Sequence, residues 1–404
     1  MERTYVTIEG KSRGYYLLVT LLGLGSVSLL VSFIVSYLKG QQVWGVSNII
    51  PWGQLIIFYI YFIGLSAGAI IISSLSYVLK WDFYKPITRL AVFMGILLML
   101  GAMFFVFVDL GRPEKFWRLF GYYFLNNMTS MFVINSIFYV VYMTLMVFYL
   151  WLIFENKKKW AAIVGTLDVI WAISVHMGTG AIFGLIGNRE IFFSPIKPFE
   201  FLAAALTSGT SLIILTTLGV FKFTGRHIRQ DLILSLGNLL SWLIYVLLVL
   251  VFVDKLTHLY FPGREPALYL FAGNYWWLFW VFQIGMGILI PLFLLIYPQT
   301  GRTVKGVSFA SLSVIIGVFG ERAALVIPGT AYPQHFFPGF MEGIWGKPGI
   351  FPVTVWESLL CLGIVSYIAL LFVLGLKFLE ILPAQEDEAI VAVEGSNPLL
   401  KKMG

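Results

Sequence analysis

The sequence predicts an all-α integral membrane protein with about ten transmembrane helices. Of its 404 residues, 59% are hydrophobic and only 12% are charged, and the mean hydropathy is +0.89. A soluble domain carries about 25% charged residues. Apolar runs also recur along the whole chain, and about 20 such residues suffice to span a bilayer as a helix. The chain is therefore expected to form one lipid-embedded bundle.

Ten apolar runs, separated by charged or Pro/Gly-rich turns, predict the ten helices. The first run lacks a small-residue cleavage site and is too long for the core of a signal peptide, so it is predicted to be a retained helix. Polar tails at 1–14 and 381–404 flank the runs. The runs cover residues 15–38, 52–79, 87–109, 127–154, 160–187, 197–221, 230–254, 270–298, 304–328 and 352–380.

The distribution of basic residues predicts the orientation of the bundle. Of the 27 Lys and Arg residues, 17 fall on the side that holds both termini and 10 on the other side. Cytoplasmic loops carry such an excess, and the triplet at 157–159 fills one very short loop. The sequence thus predicts a multi-pass protein of the cell inner (cytoplasmic) membrane with both termini cytoplasmic. Basic residues this scattered fit topology signals, so no nucleic acid partner is expected.

Two pairs of similar segments indicate an internal repeat. The segment ending at Asp109 resembles the one ending at Asp254, 145 residues later. The small-residue segment ending at Gly68 resembles the one ending at Gly209, 141 residues later. Helices two and six enter from the same side, so two parallel four-helix repeats are predicted, unlike the inverted repeats of many carriers. The predicted units are 15–51 (first helix and outward loop), 52–187 (repeat one), 188–328 (repeat two) and 329–380 (outward loop and last helix).

Polar residues inside the predicted helices are the first candidates for a functional site, because a charge there costs about 2.5 to 3.5 kcal/mol on insertion scales. They concentrate in the outward halves of the helices. Asp109 and Asp254 are predicted to end their helices on the outer side. The others at similar inferred depth are Asn135, His176, Glu200, Glu321, Arg322 and Glu357.

His176 and Asp168 share predicted helix five. An imidazole can carry a proton near neutral pH, but His176 could equally be a packed, hydrogen-bonded structural residue. Asp168 lies eight residues earlier, about 12 Å toward the cytoplasm at about 1.5 Å per residue. It would either continue a proton path inward or make a helix-packing hydrogen bond. Glu321 and Arg322 are candidates for the same path, or for an ion pair at the edge of a loop.

The start of helix two carries Trp52, Gln54 and Tyr59. Aromatic residues at this depth are typical of the interfacial belt. They could instead line a pocket for a flat apolar ring whose carbonyl oxygens accept hydrogen bonds, and a quinone headgroup has that shape. The second interpretation predicts a quinone site formed by Trp52, Gln54, Tyr59 and Asn135, with His176 and Asp109 as the catalytic proton donors.

Metal centres are not expected in this chain. It contains four histidines and one cysteine, Cys361. His176 alone cannot give bis-histidine haem ligation, and one cysteine cannot hold an iron–sulfur cluster or a structural zinc ion. The protein therefore could bind a quinone but could not carry electrons far. Electrons are expected to pass directly to or from a docked partner.

Several motifs over residues 50 to 380 are familiar in combination. They are Pro51-Trp52-Gly53, Gly64-Leu65-Ser66-Ala67-Gly68, Asp109-Leu110-Gly111-Arg112-Pro113, Asn127-Met128-Thr129-Ser130-Met131, and Val175-His176 before Ser194-Pro195. Together they resemble the NrfD-type membrane subunits of polysulfide reductase and related complexes. The ten-helix length is similar to the longer members of that family.

The resemblance implies a haem-free subunit that reacts with a menaquinone-like quinone near the outer face. It also implies a ferredoxin-like iron–sulfur subunit docked on the outward face, and a molybdopterin or cytochrome subunit as a further partner. The quinone-contacting residues of the family match Gln54 and Tyr59 only loosely.

Three functions are compatible with these observations. The leading one is a quinone-reactive membrane anchor of a respiratory oxidoreductase complex, either with or without proton translocation. The alternative is a secondary transporter or ion-translocating protein, which the parallel repeat and the outward clustering of charges disfavour. A purely structural anchor would leave the intramembrane polar residues without a role, and quinone binding would distinguish it from the first.

Overall fold

The fold is described by a computed structural model covering residues 5–260, 263–333, 335–336, 339–340 and 346–384. Within these residues, ten helices are long and apolar enough to cross a membrane, which confirms the predicted all-α membrane fold. Most of the predicted C-tail lies outside the described residues. The ten helices are α1 (Arg13–Lys39), α2 (Gln54–Tyr77), α3 (Lys85–Asp109), α4 (Met131–Phe154), α5 (Lys158–Gly184), α6 (Lys197–Phe223), α7 (Gln230–Tyr260), α8 (Leu278–Ile296), α9 (Val304–Ala331) and α10 (Val355–Phe378).

Short elements connect the ten helices. Three are 3₁₀ turns and three are short α-helices: Gln41–Trp44, Asp82–Tyr84, Pro113–Leu119, and then Tyr122–Asn126, Glu265–Ala272, Pro298–Gly301. Two-residue strands form two antiparallel pairs, Tyr5–Val6 with Leu382–Pro383 and His335–Phe336 with Gly339–Phe340.

The two ends of the described chain meet on one side of the bundle, as an even number of crossings requires. We call this the terminal side and the opposite one the distal side. Arg89 of α3 strengthens this junction, because its guanidinium lies 3.7 Å from the centre of the Tyr5 ring and donates to the Glu380 carbonyl at 2.7 Å. Arg226 donates to the Pro383 carbonyl at 2.6 Å. Arg89 thereby attaches the described ends of the chain to α3, and Arg226 attaches the C-terminal one to the connection between α6 and α7.

Helix α2 lies at the centre of the bundle and α1 at its edge. Almost the whole length of α2 is buried, whereas α1 exposes most of its apolar surface and packs chiefly on α10. Small residues allow close helix contacts in membranes. One such contact joins α2 to α6 at Gly68 and Gly209, and another joins α10 to α1, where a Cβ atom on Gly363 would lie 2.7 Å from the Leu29 Cα.

Helix α8 is not a regular α-helix. Its first part, Leu278–Leu289, is a π-helix, and Ile290–Ile296 continues as an α-helix. Extended π-helices are rare, and π turns occur frequently at functional sites. The π segment turns Gln283 into the bundle, where it is buried.

Arg189 joins three distal segments. Its guanidinium donates to the Gly329 and Thr330 carbonyls, both at 3.0 Å, and to the Ile49 carbonyl at 3.3 Å. The first two carbonyls belong to the C-terminal end of α9, which attracts positive charge. Burial lowers the pKa of the guanidinium. Arg189 therefore ties the end of α9 to the connection between α1 and α2.

Candidate functional site

A group of neutral polar side chains lies buried between α2, α4 and α5, in the distal half of the bundle. The Tyr59 and Tyr139 hydroxyls are 2.5 Å apart, and the Asn135 amide donates to the Tyr139 hydroxyl at 2.6 Å. The Thr179 hydroxyl accepts a hydrogen bond from the Asn135 amide at 3.0 Å and lies 3.0 Å from the Tyr139 hydroxyl. We call these four residues the hydroxyl cluster. It offers several donors and acceptors without any formal charge.

Tyr59 and Asn135 of this cluster were predicted from the sequence, but Tyr139 and Thr179 were not. Residues four apart lie on the same face of a helix, so Tyr139 follows Asn135 by one turn. Thr179 follows His176 by three residues on α5. Gly178 makes the contact between α4 and α5 possible, because a Cβ atom there would lie 2.6 Å from the Asn135 Oδ1. These spacings were visible in the sequence and could have suggested both residues.

Glu357 of α10 caps the start of α2. Its Oε1 accepts a hydrogen bond from the Leu55 backbone amide at 3.1 Å, and a carboxylate is favourable at a helix N-terminus. The Gln54 amide donates to the Ser358 hydroxyl at 3.1 Å and to Glu357 Oε2 at 3.4 Å. Gly53 has no side chain that would collide with the carboxylate. The structure thus places Gln54 against α10 rather than in the hydroxyl cluster.

Asp109 is the last residue of α3, as predicted, and is half-buried. It lies within electrostatic range of Tyr59 and Glu357. Its backbone carbonyl accepts a hydrogen bond from the Gln41 amide at 2.5 Å. Asp109 is therefore on the α10 side of the hydroxyl cluster.

Trp52 belongs to a row of aromatic rings that leads into the bundle. Its ring centroid lies 5.4 Å from that of Phe183 and 5.7 Å from that of Phe192. Phe183 contacts Phe201 at 5.8 Å, and Phe201 contacts His176 at 5.9 Å. Trp52 thus packs on protein rings, whereas the interfacial-belt interpretation would have it face lipid.

His176 lies where α5 meets α2 and α6. Its imidazole is fully buried, and neither ring nitrogen has a hydrogen bond of acceptable geometry within the described residues. Gly64 makes room for it, because a Cβ atom there would lie 3.2 Å from the His176 Cε1. The Phe201 carbonyl is close by and accepts from Arg322 at 3.4 Å. His176 therefore faces Phe201 on α6, whereas Asp109 lies near Glu357 on α10.

Asp168 is completely buried on α5, two turns closer to the terminal side than His176. Neither carboxylate oxygen has a hydrogen-bond partner in the described part of the chain. Tyr142 and Tyr149 lie within electrostatic range, and the Tyr142 hydroxyl is 3.4 Å from the Ser66 hydroxyl. The predicted helix-packing hydrogen bond is thus not found among these residues.

Glu321 and Arg322 lie in the interior of α9 and are both buried, so the alternative of a pair at a loop edge is wrong. The helix continues through both charged residues to Ala331. Arg322 Nη1 donates to Glu321 Oε1 at 3.2 Å, and its guanidinium lies 3.8 Å from the centre of the Phe201 ring.

Asp254 was predicted to end its helix, and this prediction is wrong. Helix α7 continues six residues beyond it, to Tyr260. Charged residues at 254 and 255 suggested an exposed end. In the structure Asp254 is fully buried, and the Lys197 ammonium lies 3.1 Å from its Oδ2 and 2.6 Å from Glu200 Oε2. Lys197 was not identified from the sequence, although it is a lone cation at the start of an apolar run.

No group of three or more His, Cys, Asp or Glu side chains could hold a metal ion within the described ranges. The architecture and its polar groups define a multi-pass membrane protein with two sets of buried polar residues in its distal half. The chain belongs to the polysulphide reductase NrfD family, whose family model matches residues 42–334.

Similar proteins are subunits of several reductases and oxidoreductases. The integral membrane subunit of the Hdr-like menaquinol oxidoreductase of Archaeoglobus fulgidus is 31% identical over 392 residues, which are 95% of this chain and 98% of that subunit. The C subunit of the selenate reductase of Mesobacillus selenatarsenatis is 28% identical, covering 91% of this chain and 95% of its own length. The integral membrane subunit of the menaquinone reductase of Nitratidesulfovibrio vulgaris is 25% identical, covering 86% and 87%.

Proposed function

We propose that this protein is the quinone-reactive membrane subunit of a multi-subunit respiratory oxidoreductase. The names of its relatives support this class, since they include integral membrane subunits of a menaquinol oxidoreductase and of a menaquinone reductase. The observation that carries the proposal is the hydroxyl cluster, a buried neutral site formed by three different helices.

The hydroxyl cluster has the donors that a quinone headgroup needs. Each quinone oxygen accepts hydrogen bonds, and its reduction requires a proton at the same oxygen. The Asn135 amide and the Tyr59 and Tyr139 hydroxyls can donate to such an oxygen. Their short contacts allow a proton to pass from one hydroxyl to the next. Phe183 lies one turn beyond Thr179, and its ring and that of Trp52 would supply an apolar wall for the headgroup.

Electrons and protons leave a quinol separately. Its oxidation releases two electrons and two protons, and the reverse reaction consumes them. We assign the electrons to a docked ferredoxin-like iron–sulfur subunit and the protons to Tyr59 and Asp109. His176 and Asp168 continue a proton path toward the terminal side, and Glu321 with Arg322 extend it into α9.

The distal side is proposed to be the outer face of the inner membrane, and the terminal side the cytoplasmic one. The excess of Lys and Arg on the terminal side supports this orientation. The distal connection between α3 and α4 exposes the aromatic residues Trp117 and Tyr122, which suit a protein interface. We assign this connection to the iron–sulfur subunit. A molybdopterin or cytochrome subunit would complete the assembly.

Replacement of Asn135 by leucine tests the proposed site. The purified complex is assayed for oxidation of a water-soluble menaquinol analogue, with copurification of its other subunits as the check on assembly. Loss of the amide should lower turnover about tenfold or more, because an unmet hydrogen bond in a buried site costs about 1–3 kcal/mol and about 1.4 kcal/mol is a factor of ten. Asn238→Leu, at an exposed position of α7, is the matched control. An assembled Asn135→Leu complex with normal turnover would refute this site.

A further inference from the structure

A second polar site lies among α6, α7, α8 and α9, apart from the hydroxyl cluster. A cavity is lined there by charged and polar side chains together with residues of the distal connections. The charged and polar ones are Lys197, Glu200, Lys255, Gln283 and Glu321. Ile191 and Leu270, from the distal connections, also line it, so the cavity is on the distal side.

Two carboxylates of this site are held by one lysine. The Lys197 ammonium is 2.6 Å from Glu200 Oε2 and 3.1 Å from Asp254 Oδ2. Asp254 also accepts from the Ser194 hydroxyl at 2.5 Å and from Lys255 at 2.8 Å. Buried charges persist when they are paired and hydrogen-bonded in this way. The ammonium occupies the position that a metal cation would take between the two carboxylates, so the site does not suit such an ion.

Glu321 differs from the other two carboxylates. Its Oε1 accepts from Arg322 at 3.2 Å, but its Oε2 is buried without a hydrogen-bond partner among the described residues, and the side chain lines the cavity. The charged groups that face it are Arg322 on its own helix, Lys197 and Glu200 on α6, and Lys255 on α7. An unpartnered carboxylate oxygen at a cavity is suited to receive a proton.

The π-helix of α8 completes the site. It turns Gln283 toward α6, where its amide lies 3.4 Å from Glu200 Oε1. This amide and the Lys197 ammonium occupy different oxygens of Glu200. Glu200 is thereby fixed as an acceptor, and Glu321 is left as the carboxylate with an open position.

We propose that this cavity is a proton-exchange site of the second repeat, in which Glu321 takes up and releases a proton through the distal side. Lys197 holds Glu200 and Asp254 in ion pairs. Three cations of this site, Lys197, Lys255 and Arg322, match three acids, Glu200, Asp254 and Glu321. Protonation of Glu321 therefore leaves one positive charge in excess. The Arg322 guanidinium, the ion-pair partner of Glu321, also lies over the Phe201 ring, which contacts His176.

Infrared difference spectroscopy of the purified complex between acidic and alkaline buffer tests this site without added quinone. The many carboxyl groups of the complex all gain a C=O band on acidification, so the test compares the wild type with variants. The wild-type spectrum should contain a C=O component that is missing from Glu321→Gln, that returns at a shifted position in Glu321→Asp, and that remains in Glu265→Gln, at an exposed distal position. A spectrum of Glu321→Gln identical to that of the wild type would overturn the proposal.

A measurement on the wild type alone covers the case in which Glu321→Gln does not assemble. Transfer to D₂O should shift the carboxylic acid band within the mixing time, because the cavity gives water access to the carboxyl group. A band that exchanges only over hours would contradict a distal proton-exchange site. The proposal rests on the proton path that the proposed function assigns to Glu321 and Arg322. Neither result bears on the hydroxyl cluster, so the quinone site itself stands or fails separately.

Discussion

Gly68 of α2 and Gly209 of α6 lie against each other at the centre of the bundle. A Cβ atom added to Gly68 would lie 2.7 Å from the Gly209 Cα and would collide with the Ala205 carbonyl. These two glycines occupy equivalent positions in the predicted repeats. Residues related by a two-fold axis meet each other only on that axis. The contact therefore supports our proposal that residues 52–187 and 188–328 are two parallel repeats.

This contact predicts a sharp difference between the two glycines at the crossing and Gly219, which lies away from it on α6. Gly68→Ala and Gly209→Ala should destabilise the protein by about 1–3 kcal/mol, because backbone atoms cannot move aside for the added methyl group. Gly219→Ala is the control, since nothing lies within 4 Å of a Cβ atom there. Alanine favours a helix over glycine by about 1 kcal/mol, so Gly219→Ala should be neutral or stabilising. Thermal unfolding in detergent measures all three, and equal stabilities would contradict the proposed crossing.

Two replacements test the predicted quinone contacts separately from Asn135. His176→Ala and Gln54→Ala should each assemble and lower quinone-linked turnover, His176→Ala more strongly because Gln54 is engaged with α10. His227→Ala and Gln42→Ala, both exposed, are the matched controls. If both test variants assemble and retain wild-type turnover, our placement of the site is wrong.

The orientation can be tested by labelling cysteines in intact cells. Cys361 is buried, so it should give little background with a membrane-impermeant maleimide. Glu114→Cys, in the distal connection after α3, should react from outside. Lys158→Cys, at the exposed first residue of α5, should react only after the cells are opened. Labelling of both positions from the same side would be incompatible with the ten-helix topology.

Lys197 should be essential for assembly of the second repeat. Lys197→Met leaves Glu200 without its ion-pair partner and leaves Asp254 paired with Lys255 alone, and breaking a buried ion pair costs about 3–5 kcal/mol. We expect a strong loss of folded protein in size-exclusion chromatography. Adding Glu200→Gln and Asp254→Asn should restore much of it, whereas Lys158→Met, at an exposed position, should have no effect. A stable single variant would show that Lys197 does not hold these carboxylates.

The absorption spectrum provides the simplest test of the electron route. The protein purified without its partners should show no Soret band and no tightly bound iron, because four histidines, of which one lies well inside the bundle, and one cysteine cannot supply the required ligands. A stoichiometric b-type haem would contradict direct transfer to a docked subunit.

Composition and charge were sufficient to predict the helices, because each span must be continuously apolar. The same continuous apolarity made the site residues hard to predict. In a soluble helix the apolar face reveals the core, but α2 and α4 are apolar all around, so their sequences do not show which face meets which helix. Tyr59 and Tyr139 could therefore not be paired. The end of α7 was misplaced for a related reason, because the charge of Asp254 is neutralised by Lys197 from another helix.

The pairing of Tyr5–Val6 with Leu382–Pro383 would allow the helices to follow one another in a different order along the chain. Since both ends of the described residues meet at one junction, a short linker could join them without moving a helix. New ends could then be opened at Asn156, in the exposed turn between α4 and α5 on the same side. Such a circular permutant would be synthesised with α5 first and α4 last, and its order of membrane insertion would change while its architecture stayed the same.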